Sequence, residues 1–126
     1  MPFIHIKSLP FREQRDIPAI LEGLCKDFAR DTGVALRHIT TTWEHFAPGH
    51  YAVAGKTVDA QPINSHPVLV DLHAPDSNSA AIVERMLESV ASSLASRARI
   101  PRENVFVSFR PALSGGVFAE GGPVRW

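Results

Sequence analysis

The first half of the chain shows three patterns in a fixed order, and this order limits the folds that the chain can adopt. Residues 3–6, "FIHI", are a short run rich in β-branched residues, which predicts a strand. Apolar residues then recur at helical spacing from Ile17, with Asp16 as the expected N-cap and Gly33 as the expected end of the helix. Residues 36–46, "LRHITTTWEHF", alternate in a way that predicts a second strand.

The second half repeats the same order. Residues 67–73, "PVLVDLH", predict a strand that opens with a proline, as Pro2 opens the first strand, and residues 104–110 predict another. Between them lies a helical apolar stripe formed by Ile82, Val83, Met86, Leu87, Val90 and Leu94. Each half then ends in a segment that contains glycine, "PGHYAVAGK" in the first and "SGGVFAEGG" in the second. The chain is therefore built from two similar strand–helix–strand units.

This doubled pattern predicts an α+β fold. A β-α-β unit has parallel strands joined by a right-handed crossover. Two such units make a four-stranded mixed sheet with two helices on one face, and the glycine-rich C-terminal segment adds a short hairpin. Each half, about residues 1–60 and 61–126, is too short to bury much of a core alone. We therefore expect a single domain, 1–126, made of the two halves.

The predicted sheet has a second face that no helix covers. We expect aromatic and apolar side chains such as Trp43 and Phe106 to lie on it. Self-association is the commonest way to cover such a face. The sequence therefore predicts a homo-oligomer.

Composition excludes several classes of function. The 13 basic and 13 acidic residues give a formal net charge of zero, and no basic cluster is present, so no nucleic-acid partner is expected. No apolar stretch approaches the roughly 18–20 residues that span a bilayer, and the start of the chain is not typical of a signal peptide, so no membrane partner is expected. A single cysteine, Cys25, excludes an internal disulfide, and we expect a cytoplasmic protein.

Pro2 lies directly after the start methionine and directly before the first predicted strand. If Met1 is removed, the nitrogen of Pro2 becomes a secondary amine. An exposed α-amino group titrates at roughly 7.7–8.0, and an apolar pocket or a nearby cation lowers that pKa. Such an amine can act as a general base near neutral pH, and the strand would hold it rigidly. Many proteins also begin with Met-Pro without any function for the proline.

The other reactive side chains have simpler structural explanations. The six histidines form no HExxH or similar ligand set, so no metal site is predicted. Cys25 lies beside the apolar stripe of the first helix, where a packed thiol is expected. Arg110 ends the last predicted strand on the face opposite Val107 and Phe109. It can bind a carboxylate through a bidentate contact, or it can be solvated, and the sequence leaves both open.

Pro2, the segment "EHFAPGHYAVAGK" at 44–56 and the doubled architecture together resemble the tautomerase superfamily. The whole chain is similar to a fused, two-unit member, and its first half resembles 4-oxalocrotonate tautomerase. The segment "REQRDIPAIL" at 12–21 also resembles the helix start of 5-carboxymethyl-2-hydroxymuconate isomerase, a second choice with the same fold. The resemblance implies a trimer with sites near subunit contacts, a small carbonyl or carboxylate substrate, and no cofactor or metal.

The resemblance also implies roles for individual residues. Pro2 matches the catalytic proline, and Tyr51 matches an aromatic residue that keeps the family's pocket apolar. Arg12 lies near a substrate-binding arginine of the family, and Arg37 lies about two residues from a second one. Glu120 lies near an acid that hydratase- or dehalogenase-like members use to activate water.

Two departures from the family pattern narrow the expected chemistry. Dehalogenase-like members carry two arginines after the first strand of the second unit, where this chain has "HAPDSNS", so dehalogenation is not expected. Pro67 is internal, so its nitrogen is an amide and cannot be a base. One chain therefore has one catalytic proline at most.

The leading hypothesis is a cofactor-independent tautomerase, an isomerase that uses Pro2 as the general base on an enol or keto acid. Arg12 or Arg110 would hold the substrate carboxylate and stabilise the charge that develops on the substrate. The enzymatic alternative is hydration or decarboxylation with Glu120 directing water. A third hypothesis is a catalytically inactive, oligomeric binding module of the same fold.

Overall fold

The computed structural model describes all residues from Met1 to Trp126. The first half contains β1 (Phe3–Ser8), α1 (Ile17–Thr32), β2 (Thr40–His45) and a hairpin of β3 (Ala52–Val53) and β4 (Lys56–Thr57). The second half contains β5 (Val68–Pro75), α2 (Ala80–Ala98), β6 (Val105–Ala112) and a hairpin of β7 (Val117–Ala119) and β8 (Gly122–Val124). One turn of 3₁₀ helix precedes β2 at Leu36–His38 and another precedes β6 at Arg102–Asn104.

The four long strands form one mixed sheet in the order β2-β1-β5-β6. Within each half the two strands run parallel, and the halves meet where β1 and β5 pair antiparallel. Both helices pack together on one face of this sheet. The fold predicted from the repeat, including the C-terminal hairpin, is therefore confirmed. Neither helix combines the length and the apolar character that a membrane span would need.

The core lies between the sheet and the two helices and draws on both halves of the chain. Strand residues alternate, so that one side of each strand enters this layer. The core consists of Ile4, Ile6, Ile20, Leu24, Phe28, Ile39, Val68, Val70, Leu72, Ala74, Met86, Val90, Leu94, Ala95, Ala98 and Ile100. Because these residues form a single cluster, the halves are stabilised by the same packing.

The helix boundaries follow from local chemistry. The Asp16 carboxylate accepts a hydrogen bond from the N–H of Ala19 (3.1 Å), so it caps α1 as predicted. Gly33 ends α1 with a φ of 78°, a left-handed conformation that glycine adopts without a steric penalty. Ser79 caps α2 through a bond from the N–H of Ile82 (3.3 Å).

Two details of the first half differ from the sequence-based expectation. The second strand begins at Thr40, since Leu36–His38 form a 3₁₀ turn. The side chain of Trp43 does not lie on the helix-free face, because the parallel register pairs Trp43 with Ile6, whose side chain enters the core. Its indole N–H donates to the hydroxyl of Ser8 (3.1 Å). Phe106 does lie on the open face, and 58 % of its surface is exposed.

The segment that joins the halves is fixed by two buried amide side chains. Gln61 donates from Nε2 to the carbonyl oxygen of His66 (2.7 Å), and its own carbonyl oxygen accepts the N–H of Leu9 (3.2 Å). Asn104 donates from Nδ2 to the carbonyl oxygen of Ser65 (2.9 Å). The joint is thus tied both to the end of β1 and to the start of β6.

A buried carboxylate connects the two helices. Asp27 on α1 accepts two hydrogen bonds from the guanidinium of Arg97 on α2 (2.8 and 3.0 Å) and one from the hydroxyl of Ser93 (2.6 Å). Gly23 leaves room for this contact, because a Cβ at that position would overlap the Arg97 guanidinium. The bonds from Arg97 and Ser93 outweigh the effect of burial and lower the pKa of Asp27 to about 2.

We expect Asp27→Asn to lower the free energy of unfolding by about 2 kcal/mol at neutral pH. The pKa of Asp27 is lower in the folded than in the unfolded chain, so its contribution is fully present above about pH 4 and is lost as the pH falls toward about 2. Urea denaturation of both proteins from pH 7 to pH 2 measures this. Asp59→Asn, at an exposed position, is the control. A constant difference between wild type and Asp27→Asn across that range would contradict the interpretation.

Candidate active site

Pro2 lies at the amino end of β1, inside the fold. Less than 2 % of its side chain is exposed, and its carbonyl oxygen accepts the N–H of Thr40 (3.0 Å). This bond extends the pairing of β1 with β2 to the residue before the strand. Met1, by contrast, is exposed. The nitrogen of Pro2 therefore lies between the buried Pro2 ring and the exposed Met1.

A cavity of about 730 Å³ lies beside this position on the helix-free face of the sheet. Its walls come from the start of the chain, from β1, β2 and β5, and from the C-terminal hairpin. The lining residues are Met1, Phe3, His5, Thr42, Trp43, Glu44, His73 and Val117. Because Met1 is both a wall of the cavity and the residue bonded to the Pro2 nitrogen, removal of Met1 would open the cavity toward that nitrogen.

The polar groups of the cavity form a connected set. His5 is hydrogen-bonded through Nδ1 to the hydroxyl of Thr42 and through Nε2 to the carboxylate of Glu44 (3.1 Å). The ring of Phe3 makes edge-to-face contacts with His5 and His73, at centroid distances of 6.2 and 6.0 Å. The cavity therefore combines apolar side chains with two imidazoles and one carboxylate.

The three arginines named from the sequence lie outside this cavity. Arg12 lines a separate cavity of about 610 Å³ beside the joint segment. Arg37 is exposed in the 3₁₀ turn that precedes β2. Arg110 is the register neighbour of His73, and its Nε donates to the carboxylate of Asp71 (3.3 Å). Within one chain, the structure does not bring these arginines together with Pro2.

Tyr51 and Glu120 belong to the hairpin segments of the two halves but occupy different places in them. Tyr51 precedes the first hairpin, and its hydroxyl donates to the carbonyl oxygen of Pro67 (2.8 Å). Its ring packs against His66, and burial raises the pKa of Tyr51. Glu120 is exposed at the turn of the second hairpin, with a φ of 52°. The same hairpin carries Val117, which lines the Pro2 cavity.

Each hairpin lies near the other half of the chain. The hairpin of the first half contacts the amino end of β5, since His66 is hydrogen-bonded to the carbonyl oxygen of Lys56 (2.8 Å) and Tyr51 reaches Pro67. The hairpin of the second half reaches the amino end of β1 through Val117. Tyr51 therefore lies beside the internal proline in its own chain, and Val117 of the second hairpin lines the cavity at the amino end of β1.

No pattern in the sequence marks His5, Glu44 and His73 as site residues. All three belong to the alternate positions of their strands that face away from the core. That alternation is visible in the sequence, but it does not show that β1 lies between β2 and β5. Among all residues of the structure, no group of three or more His, Cys, Asp or Glu side chains could hold a metal ion.

No protein-family model and no curated protein matches the chain. Solved structures do match it. A fused 4-OT, described as a wild-type symmetric trimer, has a TM-score of 0.79 at 14 % identity, over 95 % of this chain and 93 % of that chain. Pt0534 inactivated by 2-oxo-3-pentynoate has a TM-score of 0.82 at 14 % identity, over 97 % and 94 %. A member of the cis-3-chloroacrylic acid dehalogenase family has a TM-score of 0.75 at 19 % identity, over 97 % and 82 %.

These matches cover nearly the whole chain, so the chain has the fold of fused tautomerase-superfamily proteins. The resemblance drawn from Pro2, the 44–56 segment and the doubled pattern is thereby confirmed for the fold. At identities of 14–19 %, the matches establish architecture, and activity has to be argued from the site itself.

We expect Tyr51→Phe to lower the free energy of unfolding by about 1 kcal/mol, because the carbonyl oxygen of Pro67 loses its hydrogen-bond donor. The ring contacts with Phe46 and His66 remain. Tyr51→Leu removes those contacts as well and should cost more. Urea denaturation measures both variants. Equal stability of Tyr51→Phe and wild type would show that the hydroxyl does not support the joint.

Proposed function

We propose that the protein is a cofactor-independent tautomerase whose general base is the amine of Pro2, exposed by removal of Met1. The observation that carries this proposal is the position of Pro2, buried at the rigid start of a central strand and next to a cavity that Met1 lines. A flexible or solvated amino terminus would not support it.

The proposed reaction moves one proton within the substrate. The lone pair of the Pro2 nitrogen takes a proton from the enol hydroxyl or from the carbon beside a carbonyl, and the electron pair released shifts through the conjugated chain. The resulting prolyl ammonium returns the proton to another carbon, so no atom or electron is gained or lost. Burial among apolar groups disfavours the ammonium and keeps the amine available as a base near neutral pH.

Substrate binding through an arginine requires a second subunit in this proposal. Arg12 and Arg37 are exposed, and neither has an acidic partner in its own chain. We propose that one of them reaches the Pro2 cavity of a neighbouring copy and holds the substrate carboxylate. Tyr51 of a neighbouring copy would contribute an apolar wall to the same cavity. Arg110 would hold the carboxylate only after its bond to Asp71 is broken.

One observation favours hydration as a second candidate. Glu120 lies on the hairpin that reaches the cavity through Val117, so a carboxylate that could direct a water molecule is attached to the same element. Decarboxylation and an inactive binding module fit the same fold. A cytoplasmic location and a small-molecule substrate remain predictions.

We expect the intact mass of the purified protein to correspond to residues 2–126, because Met1 must be absent for Pro2 to act as a base. The protein should then catalyse ketonisation of phenylenolpyruvate or 2-hydroxymuconate. Pro2→Ala, which keeps an amino terminus but replaces the secondary amine, should lower kcat/KM by about 10²-fold or more. Absorbance assays with both enols measure this.

The matched control is Pro67→Ala, because Pro67 opens the corresponding strand but carries an amide nitrogen. Its kcat should stay close to that of wild type. Retention of Met1 together with full activity would overturn the proposed base, and equal activity of Pro2→Ala and wild type would do the same.

We also propose that the chain assembles as a trimer through the helix-free face and the second hairpin. Apolar side chains are exposed there, with 58 % of Phe106 and 74 % of Phe118 in contact with solvent. Sedimentation equilibrium should give the mass of three chains, and Phe106→Asp should shift the protein toward monomers without unfolding it. A monomeric wild type at micromolar concentration would contradict this assembly.

A further inference from the structure

We infer that Glu44 makes the Pro2 cavity selective for substrates with one carboxylate and an apolar remainder, and disfavours dicarboxylates. This inference rests on the proposed function, since it assigns a substrate class to the same site. Glu44 acts here as a specificity-determining residue, and the proposed proton transfer does not need it.

The position of Glu44 carries the inference. It belongs to the open face of β2 and lines the cavity. Its carboxylate is hydrogen-bonded to Nε2 of His5 (3.1 Å), which lines the same cavity, and most of the Glu44 side chain is open to solvent. His5 on β1 is three residues along the extended chain from Pro2, which corresponds to about 10 Å. A conjugated six-carbon acid extends over most of this length.

The lining of the cavity carries a single formal charge, which is negative. Glu44 is the only acidic residue in the lining, and no lysine or arginine lines it. Lys7 pairs with Glu44 in the strand register but makes no ion pair with it and lies outside the lining. The other charged pair on this face, Asp71 and Arg110, is internally neutralised. A second carboxylate at the far end of a substrate would therefore meet an anion.

The apolar part of the lining fits the alternative substrate. Phe3 and Val117 offer hydrocarbon surface, removal of Met1 would add space beside them, and the Phe3 ring packs edge-to-face against two imidazoles. An aromatic ring or an alkyl chain can occupy this volume without placing a charge near Glu44. We therefore assign the site to enol or keto monocarboxylates that carry an aryl or alkyl group.

The test compares kcat/KM for phenylenolpyruvate, a monocarboxylate, with that for 2-hydroxymuconate, a dicarboxylate. Glu44→Gln removes the charge and keeps a side chain that can accept a bond from His5. In Glu44→Gln, the ratio of kcat/KM for phenylenolpyruvate to kcat/KM for 2-hydroxymuconate should fall about fivefold to tenfold, because the dicarboxylate is no longer repelled. The fall should be smaller at high ionic strength. Glu22→Gln, on the exposed surface of α1, removes the same charge far from the cavity and should leave the ratio unchanged.

Binding gives a second readout that does not depend on turnover. Cinnamate and trans,trans-muconate are titrated into wild type and Glu44→Gln, with the ring resonances of His5 and His73 as reporters. Wild type should bind cinnamate more tightly than it binds trans,trans-muconate. Glu44→Gln should bind trans,trans-muconate more tightly than wild type does. If Glu44→Gln leaves the kcat/KM ratio unchanged while activity still depends on Pro2, the inferred selectivity is overturned and the proposed function stands. If neither enol is turned over, the proposed function fails, and the two dissociation constants decide the selectivity alone.

Discussion

The pairing of β1 with a strand on each side is the constraint on which the rest of the structure depends. β1 pairs parallel with β2 and antiparallel with β5, so the first strand of the chain lies inside the sheet. Its core-facing side chains, Ile4 and Ile6, are completely buried. The backbone bond from Thr40 to the carbonyl of Pro2 continues this order to the amino end. An amino terminus is ordinarily the most mobile part of a domain, and here the sheet fixes it.

The doubled architecture does not make the two halves equivalent. Each hairpin covers the amino end of the other half's first strand, so two similar positions arise, one at Pro2 and one at Pro67. At Pro67 the chain continues backward into the joint, and Tyr51 and His66 fill the space. Beside Pro2, where Met1 is exposed, a cavity remains.

The fold could be predicted from the sequence because its signals are local. Helical spacing, the Asp16 cap and the Gly33 end define α1, and the same order in the second half defines the sheet. The site could be predicted only at Pro2. The set of His5, Glu44 and His73 depends on which strands are neighbours and in which register, and the expectation that Trp43 lies on the helix-free face is wrong for the same reason. Alternation within one strand shows which residues share a side, but which side faces the core depends on how all the strands are arranged.

The protonation state of the Pro2 nitrogen tests the central claim most directly. In protein labelled with ¹⁵N-proline, nine of the ten prolines carry amide nitrogens if Met1 has been removed. The account predicts one secondary-amine resonance that titrates with pH, at a pKa below that of an exposed prolyl amine, because burial disfavours the ammonium. Ten amide resonances, or an amine that titrates like one in free solution, would contradict it.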